Sequence, residues 1–152
     1  MENNFQMVAK TLFGFEDLLA NELTQLGAQK VKKGVRNVTF YGDKGFMYKC
    51  NLALRTAIKI LKPIASFKVV NEADLYDKIY NIKWEDYVDY KGTIAINSTV
   101  HSTVFTHSQY ISLKAKDAIV DRFRAVKGER PSVDLKFPDL KINIHIDKLF
   151  CN

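Results

Sequence analysis

An α+β fold is what this 152-residue sequence predicts, on three observations. Runs with apolar residues three and four apart alternate along the chain with runs of period two. The first third reads strand, helix, strand pair, helix, strand. The stretch Thr106–Asp134 then reads as one long amphipathic helix, and Lys141–Asp147 follows as a cleanly alternating strand.

Taken in order, Phe5–Thr11 is short, apolar and β-prone, and is expected to be a strand. In FEDLLANELTQLGA, the residues Phe15, Leu18, Leu19, Leu23 and Leu26 have helical spacing. Gly27 stands where a helix-ending glycine should, and Glu16 and Asp17 suit the positive end of the helix dipole. Lys30, Lys32, Lys33 and Arg36 surround Gly34 ahead of Val38–Tyr41, which predicts two strands joined by a basic turn. That turn is either a solvated hairpin tip or a patch that contacts phosphates. Asp43 is expected to cap a helix over Lys44–Leu54, with Cys50 as a core thiol. Ala57–Val70 is expected to be a strand interrupted by Pro63, with the proline at an edge, a bulge or a break. This order is close to the split β-α-β of a ferredoxin-like unit.

Glu72–Tyr80 predicts a short helix, with Trp84 after it as a packing anchor. Thr93–Thr99 alternates as a strand. The long helix is expected to start with a capping box, Thr106 and Gln109, and to stop at Gly128 and Pro131. Its buried face should hold Ile111, Ala115, Ala118, Ile119, Phe123 and Val126. Lys116, Arg124 and Lys127 fall on roughly the opposite side, given about 100° per residue. Arg122 falls on the apolar side, so it is expected half-buried against a carboxylate. Asp117 and Asp121 are expected to pair with Lys114 or Arg124. Leu113 and Val120 lie on the basic side, which predicts a helix covered on two sides. In KINIHID, Ile142, Ile144 and Ile146 face one way and Asn143 and His145 the other. The chain stops just as another strand begins, as the front part of a longer protein would.

The net charge is +6, with an excess of three in residues 1–55, none in 56–105 and three in 106–152. That balance favours a nucleic-acid partner. No apolar run is long enough for a membrane helix, and the N-terminus lacks a signal-peptide layout. Two cysteines without metal spacing fit a reducing cytosol. Catalytic chemistry is missing from the pattern. His101, His107 and His145 have no metal-ligand spacing, Ser102, His107 and Asp117 lack a nucleophile elbow, and there is no P-loop or G-x-G-x-x-G.

The ordered segments LFGFEDLLANELTQLGA, GVRNVTFYG, NLALRTA, DLYDKIYNIKW, THSQY, LKAKDAIVDRFR, RPSVD and PDLKINIHI span essentially the whole chain. Together they resemble the N-terminal region of bacterial THUMP-containing ribosomal RNA large-subunit guanine-N2 methyltransferases. Such proteins also carry the label N6-adenine-specific DNA methylase, by analogy of a catalytic motif. The resemblance implies a ferredoxin-like domain over residues 1–66 and the core of a THUMP α/β domain over 67–152, with a family boundary that can start near 44. It implies an RNA-binding region that positions structured RNA, 23S rRNA in that family, for a downstream methyltransferase domain using S-adenosylmethionine. The catalytic motif and cofactor loop of that domain are missing here, so the expected cofactor in these residues is none. The RNA-contacting residues expected are Lys116, Arg124, Lys127 and Arg130, helped by Lys32, Lys33 and Arg36, with His107 and Gln109 at matched positions. Two other readings stand beside it: the THUMP region of a thiouridine-forming synthetase acting on transfer RNA, and a ferredoxin-like interaction module that binds no RNA. A cytoplasmic protein without a membrane partner is expected.

Overall fold

The computed structural model describes residues 3–152. Contacts divide them into one unit ending at Ile64 and another over Ala65–Asn152. The first is built from β1 (Phe5–Lys10), α1 (Glu16–Leu26), β2 (Gln29–Lys33), β3 (Asn37–Gly42), α2 (Lys44–Ala53) and β4 (Lys59–Leu61). The sheet order is β2-β3-β1-β4, with every neighbouring pair antiparallel. This is the ferredoxin-like arrangement that the element order predicted.

Alternation along the strands decides what the sheet buries. Met7 and Ala9 of β1 and Val38 and Phe40 of β3 point to one face and form a core with Leu19, Leu23 and Cys50 of the two helices. Asp43 caps α2 by accepting the Phe46 N–H at 2.7 Å, as expected. Gly27 ends α1 at φ 103°, a left-handed conformation that costs any residue with a Cβ. Two members of the predicted α1 face are exposed, Phe15, which lies just before the helix, and Leu18, and half-buried Leu26 is not part of this core either.

The second unit runs β5 (Phe67–Lys68), α3 (Glu72–Tyr80), a 3-10 turn (Trp84–Asp86), β6 (Thr93–His101), α4 (Ser108–Lys127), β7 (Ser132–Val133), β8 (Leu140–Asp147) and β9 (Phe150–Cys151). Its sheet order is β5-β9-β8-β6-β7. β6 is parallel to both β7 and β8, while β9 runs antiparallel to β8 and β5. Of the alternatives for Pro63 within Ala57–Val70, the structure has the break, which leaves two strands. β4 pairs in the first sheet and β5 in the second, and Pro63 lies between them where no ladder hydrogen bond is required. β9 is the strand whose beginning the sequence suggested.

The second core gathers Leu75 and Ile79 of α3, Ile94 of β6, Ile142, Ile144 and Ile146 of β8, and the buried stripe of α4. Trp84 is buried among them and donates its indole N–H to the Ile79 carbonyl at 2.8 Å, the anchoring role expected. Each fully buried large side chain contributes about 1.5–3 kcal/mol relative to exposure. No helix of the described residues is long and apolar enough to cross a membrane.

Candidate nucleic-acid interface

α4 displays its cations because its other side is anchored. Ile111, Ala115, Ala118, Ile119 and Phe123 are all buried. Val126, expected with them, is exposed, since it lies in the last turn before Gly128 leaves the helix at φ 75°. The expected second covered side is present only at Val120, which is buried; Leu113 is exposed. The expected capping box does not form. The helix begins at Ser108, so His107 occupies the cap position and makes no side-chain capping bond. The reason lies just upstream. Phe105 is buried and Ser102 Oγ accepts the Val104 N–H at 3.1 Å, which fixes the approach and leaves Thr106 one residue too early.

His107 and Gln109 are exposed on this approach and line an open groove of about 670 Å³ with Thr106, Ser108 and Tyr110. Glu72 also lines it, and its carboxylate opposes an anionic ligand there. Thr106, His107 and Gln109 thus sit together as sequence-matched positions, apart from the lysine stripe.

Along the outer side of α4, Lys116 and Lys127 are almost in line, about 16 Å apart along the axis. Lys116 lies 3.4 Å from Asp117, and Arg124 lies 3.9 Å from Asp121. Asp121 also accepts the Tyr76 hydroxyl, whose pKa is pushed up to about 12 mainly by that bond. Lys114 stands 5.5 Å from the Tyr76 ring centroid instead of pairing with an aspartate. Arg122 behaves as its angle predicted. It donates to Glu85 through Nε at 2.8 Å and Nη2 at 2.6 Å, and to the Tyr80 carbonyl through Nη1 at 3.1 Å. The Arg122 bonds hold the Glu85 carboxyl down at about 2. Lys127 and Arg130 are exposed and carry no ion pair among the described residues.

In the first unit, the residues expected to act as one basic turn are separated. Lys32 and Lys33 are neighbours in β2 and so point to opposite faces. Lys33 reaches Asp17 of α1 in an ion pair. Arg36 sits in the tip at φ 58°, and its N–H donates to Glu16 Oε1 at 2.9 Å. That bond is the chief reason the Glu16 carboxyl lies below its ordinary range. Glu16 also accepts the Gly14 N–H at 2.8 Å, so its work is to tie the hairpin tip to the start of α1. Helix-dipole spacing alone had pointed to a local role, because the partner is 20 residues away.

Cys50 and Cys151 are buried, and burial pushes both thiols up to about 11, far from a nucleophile's range. Among the described residues, no group of three or more His, Cys, Asp and Glu could hold a metal ion.

Comparison with known proteins gives two domain matches: a THUMP domain over residues 69–152 and an RlmL ferredoxin-like domain over residues 6–61. A ribosomal RNA large subunit methyltransferase K/L of Aeromonas salmonicida is 41% identical over 135 residues, covering 89% of this chain and 19% of that protein. The chain thus spans about a fifth of that relative's length. Among solved structures, a predicted N6-adenine-specific DNA methylase from Listeria monocytogenes matches 98% of this chain and 39% of its own, with TM-score 0.82 and 23% identity. A 4-thiouridine synthetase in complex with RNA matches 98% of this chain and 40% of its own, with TM-score 0.58 and 14% identity. Both likenesses are of fold alone.

Proposed function

The chain belongs to the THUMP family, and from that premise we propose that it is the RNA-binding region of an S-adenosylmethionine-dependent 23S rRNA guanine-N2 methyltransferase, holding structured RNA for a downstream catalytic domain. The division at 1–66 and 67–152 belongs to the same reading. The observation that carries it is the row of half-buried Lys116 and exposed Arg124 and Lys127, continued by exposed Arg130, on a helix whose opposite side is anchored in the core. A-form RNA is recognised mainly through shape, phosphate and 2′-OH contacts, which a stripe of cations can supply without reading bases. Lys127 and Arg130 meet phosphates directly. Lys116 and Arg124 first exchange Asp117 and Asp121 for them, so they contribute less. His107, Gln109, Lys32, Lys33 and Arg36 complete the proposed set, with Lys33 the weakest because Asp17 already neutralises it.

The methyl donor does not fit these residues. The glycines at positive φ, Gly14, Gly27 and Gly128, flank helix ends and form no cradle for a nucleoside. The donor is therefore proposed for the parent enzyme only, and this region's work is positioning.

The test is binding of a structured 23S rRNA fragment across salt concentrations. With about four phosphates neutralised, log K should fall with log salt at a slope near −3. Lys116→Glu combined with Lys127→Glu should flatten that slope by about 2. Salt-independent binding, or no effect of the pair, sinks the reading. A synthetase-type reading rests on the fold likeness to the synthetase–RNA complex, and transfer RNA outcompeting the rRNA fragment would favour it.

A further inference from the structure

The sheet of the first unit has two faces of different chemistry. One is closed by α1 and α2 over Met7, Ala9, Val38 and Phe40. The other carries none of that unit's helices, and alternation sends Lys10 and Lys32 onto it. Lys59 lies directly opposite Lys10 in the β1–β4 ladder, and Lys32 opposite Thr39 in the β2–β3 ladder. Tyr41, two residues on from Thr39, shares this face, with Lys30 Nζ 5.2 Å from its ring centroid. The four strands contain no aspartate or glutamate. Among the described residues, the acids of this unit belong to the helix layer instead: Glu16, Asp17 and Glu22 on α1, and Asp43 capping α2.

Two further facts point to an anionic ligand. Like charges directly opposite in a ladder are destabilising, so the Lys10–Lys59 pairing is a cost to the fold on its own. Burial, and then the Lys59 charge, hold the Lys10 ammonium below its usual range. An anion between the two turns repulsion into attraction. The charge is also concentrated here. Residues 1–64 contain ten basic and five acidic residues, and residues 65–152 thirteen and twelve, so an excess of five of the net six belongs to the first unit.

We propose that the helix-free face of the β2-β3-β1-β4 sheet is a second RNA-binding surface, which takes an unpaired polyribonucleotide with phosphates on Lys10, Lys59 and Lys32 and a base against Tyr41 and Lys30. Four strands about 4.8 Å apart make a platform roughly 14 Å wide. An extended single strand can follow such a plane, and only unpaired bases offer a face to an aromatic ring. With one aromatic and four lysines, binding is mainly electrostatic and tolerant of sequence. The proposal shares Lys32 with the set named above but otherwise rests on Lys10, Lys59, Lys30 and Tyr41, which lie outside that set, so the variants below test it separately.

The experiment measures fluorescence anisotropy of a labelled single-stranded polyuridylate 12-mer with the full 152-residue chain. Lys10→Gln with Lys59→Gln should weaken binding about tenfold at moderate salt and flatten the salt slope by about 1.4, two single-strand phosphate contacts. Its thermal midpoint should stay level or rise, because the repulsion is gone, whereas removal of a merely structural lysine pair lowers it. Lys44→Gln with Lys49→Gln removes the same charge from the helix side and should change affinity by less than about threefold. Lys116→Gln with Arg124→Gln should leave the 12-mer bound and weaken only the structured rRNA fragment. Unchanged binding in the Lys10/Lys59 variant overturns the proposal, as does an equal loss in the Lys44/Lys49 variant. Loss of the 12-mer in the α4 variant alone also overturns it, while leaving the α4 reading intact.

Discussion

In the second unit four cations lie beside carboxylates, Lys116 by Asp117, Arg124 near Asp121, Arg122 clasped by Glu85 and Lys78 by Asp74, whereas Lys127 and Arg130 have no ion pair among the described residues. In the first unit the helix-free sheet face carries lysines and no carboxylate in any strand. The difference shows that the position of a charge along the sequence says little about its availability. A helix returns to the same side every three or four residues, so one substitution can supply a local counter-ion. On a strand, the neighbours that matter are across the ladder and far along the chain.

The contrast can be broken most severely at the base of α4. Phe123→Ala removes a buried ring and should cost about 3–5 kcal/mol in urea denaturation. If RNA binding by the folded fraction survived unchanged, the stripe would not depend on the helix that presents it. A smaller effect sharpens the structural side of the contrast. Glu85→Gln should cost about 2 kcal/mol, since it weakens a charged, bidentate bond to a largely buried guanidinium. The pH dependence has a definite sign. Glu85 sits at about 2 in the folded chain against an ordinary 4.5, so the unfolded chain binds its proton more readily. Its stabilisation is complete above about pH 4.5 and is lost as pH falls toward 2. Thermal midpoints between pH 6 and pH 3 should therefore drop further for the native chain than for Glu85→Gln; parallel curves would contradict the assignment. The smallest effect belongs to Lys33→Ala. Its ion pair with Asp17 is exposed, and the thermal midpoint should be indistinguishable from that of the native chain.

What was legible in the sequence was what repeats locally. The spacing of α3, the alternation of Ile142, Ile144 and Ile146, the Asp43 cap and the two terminal glycines all act within a few residues, and the structure has them. Arg122 was legible too, because an angle on a helix is a local quantity. Features decided by distant partners were not. Ala57–Val70 looks like one apolar run, yet its two halves pair with different sheets. Thr106 looks like a cap until buried Phe105 sets the register. Leu18 has core spacing and still faces solvent. The turn at Gly34 was legible, but that Lys32 and Lys33 belong to the strand and face opposite ways required the register with β3. Lys10 and Lys59 carry no signal at all until β1 and β4 are known to be neighbours.

The pairing of β5 with β9 has a consequence for the order of events during synthesis. Phe67 meets Cys151, 84 residues later, whereas no pairing in the first sheet reaches beyond Leu61. At about 5–20 residues per second, the ribosome needs roughly 4–17 s to deliver β9 after β5. The first unit can close during that interval, while the edge of β5 waits unpaired in the nascent chain, open to chaperones or to a wrong strand.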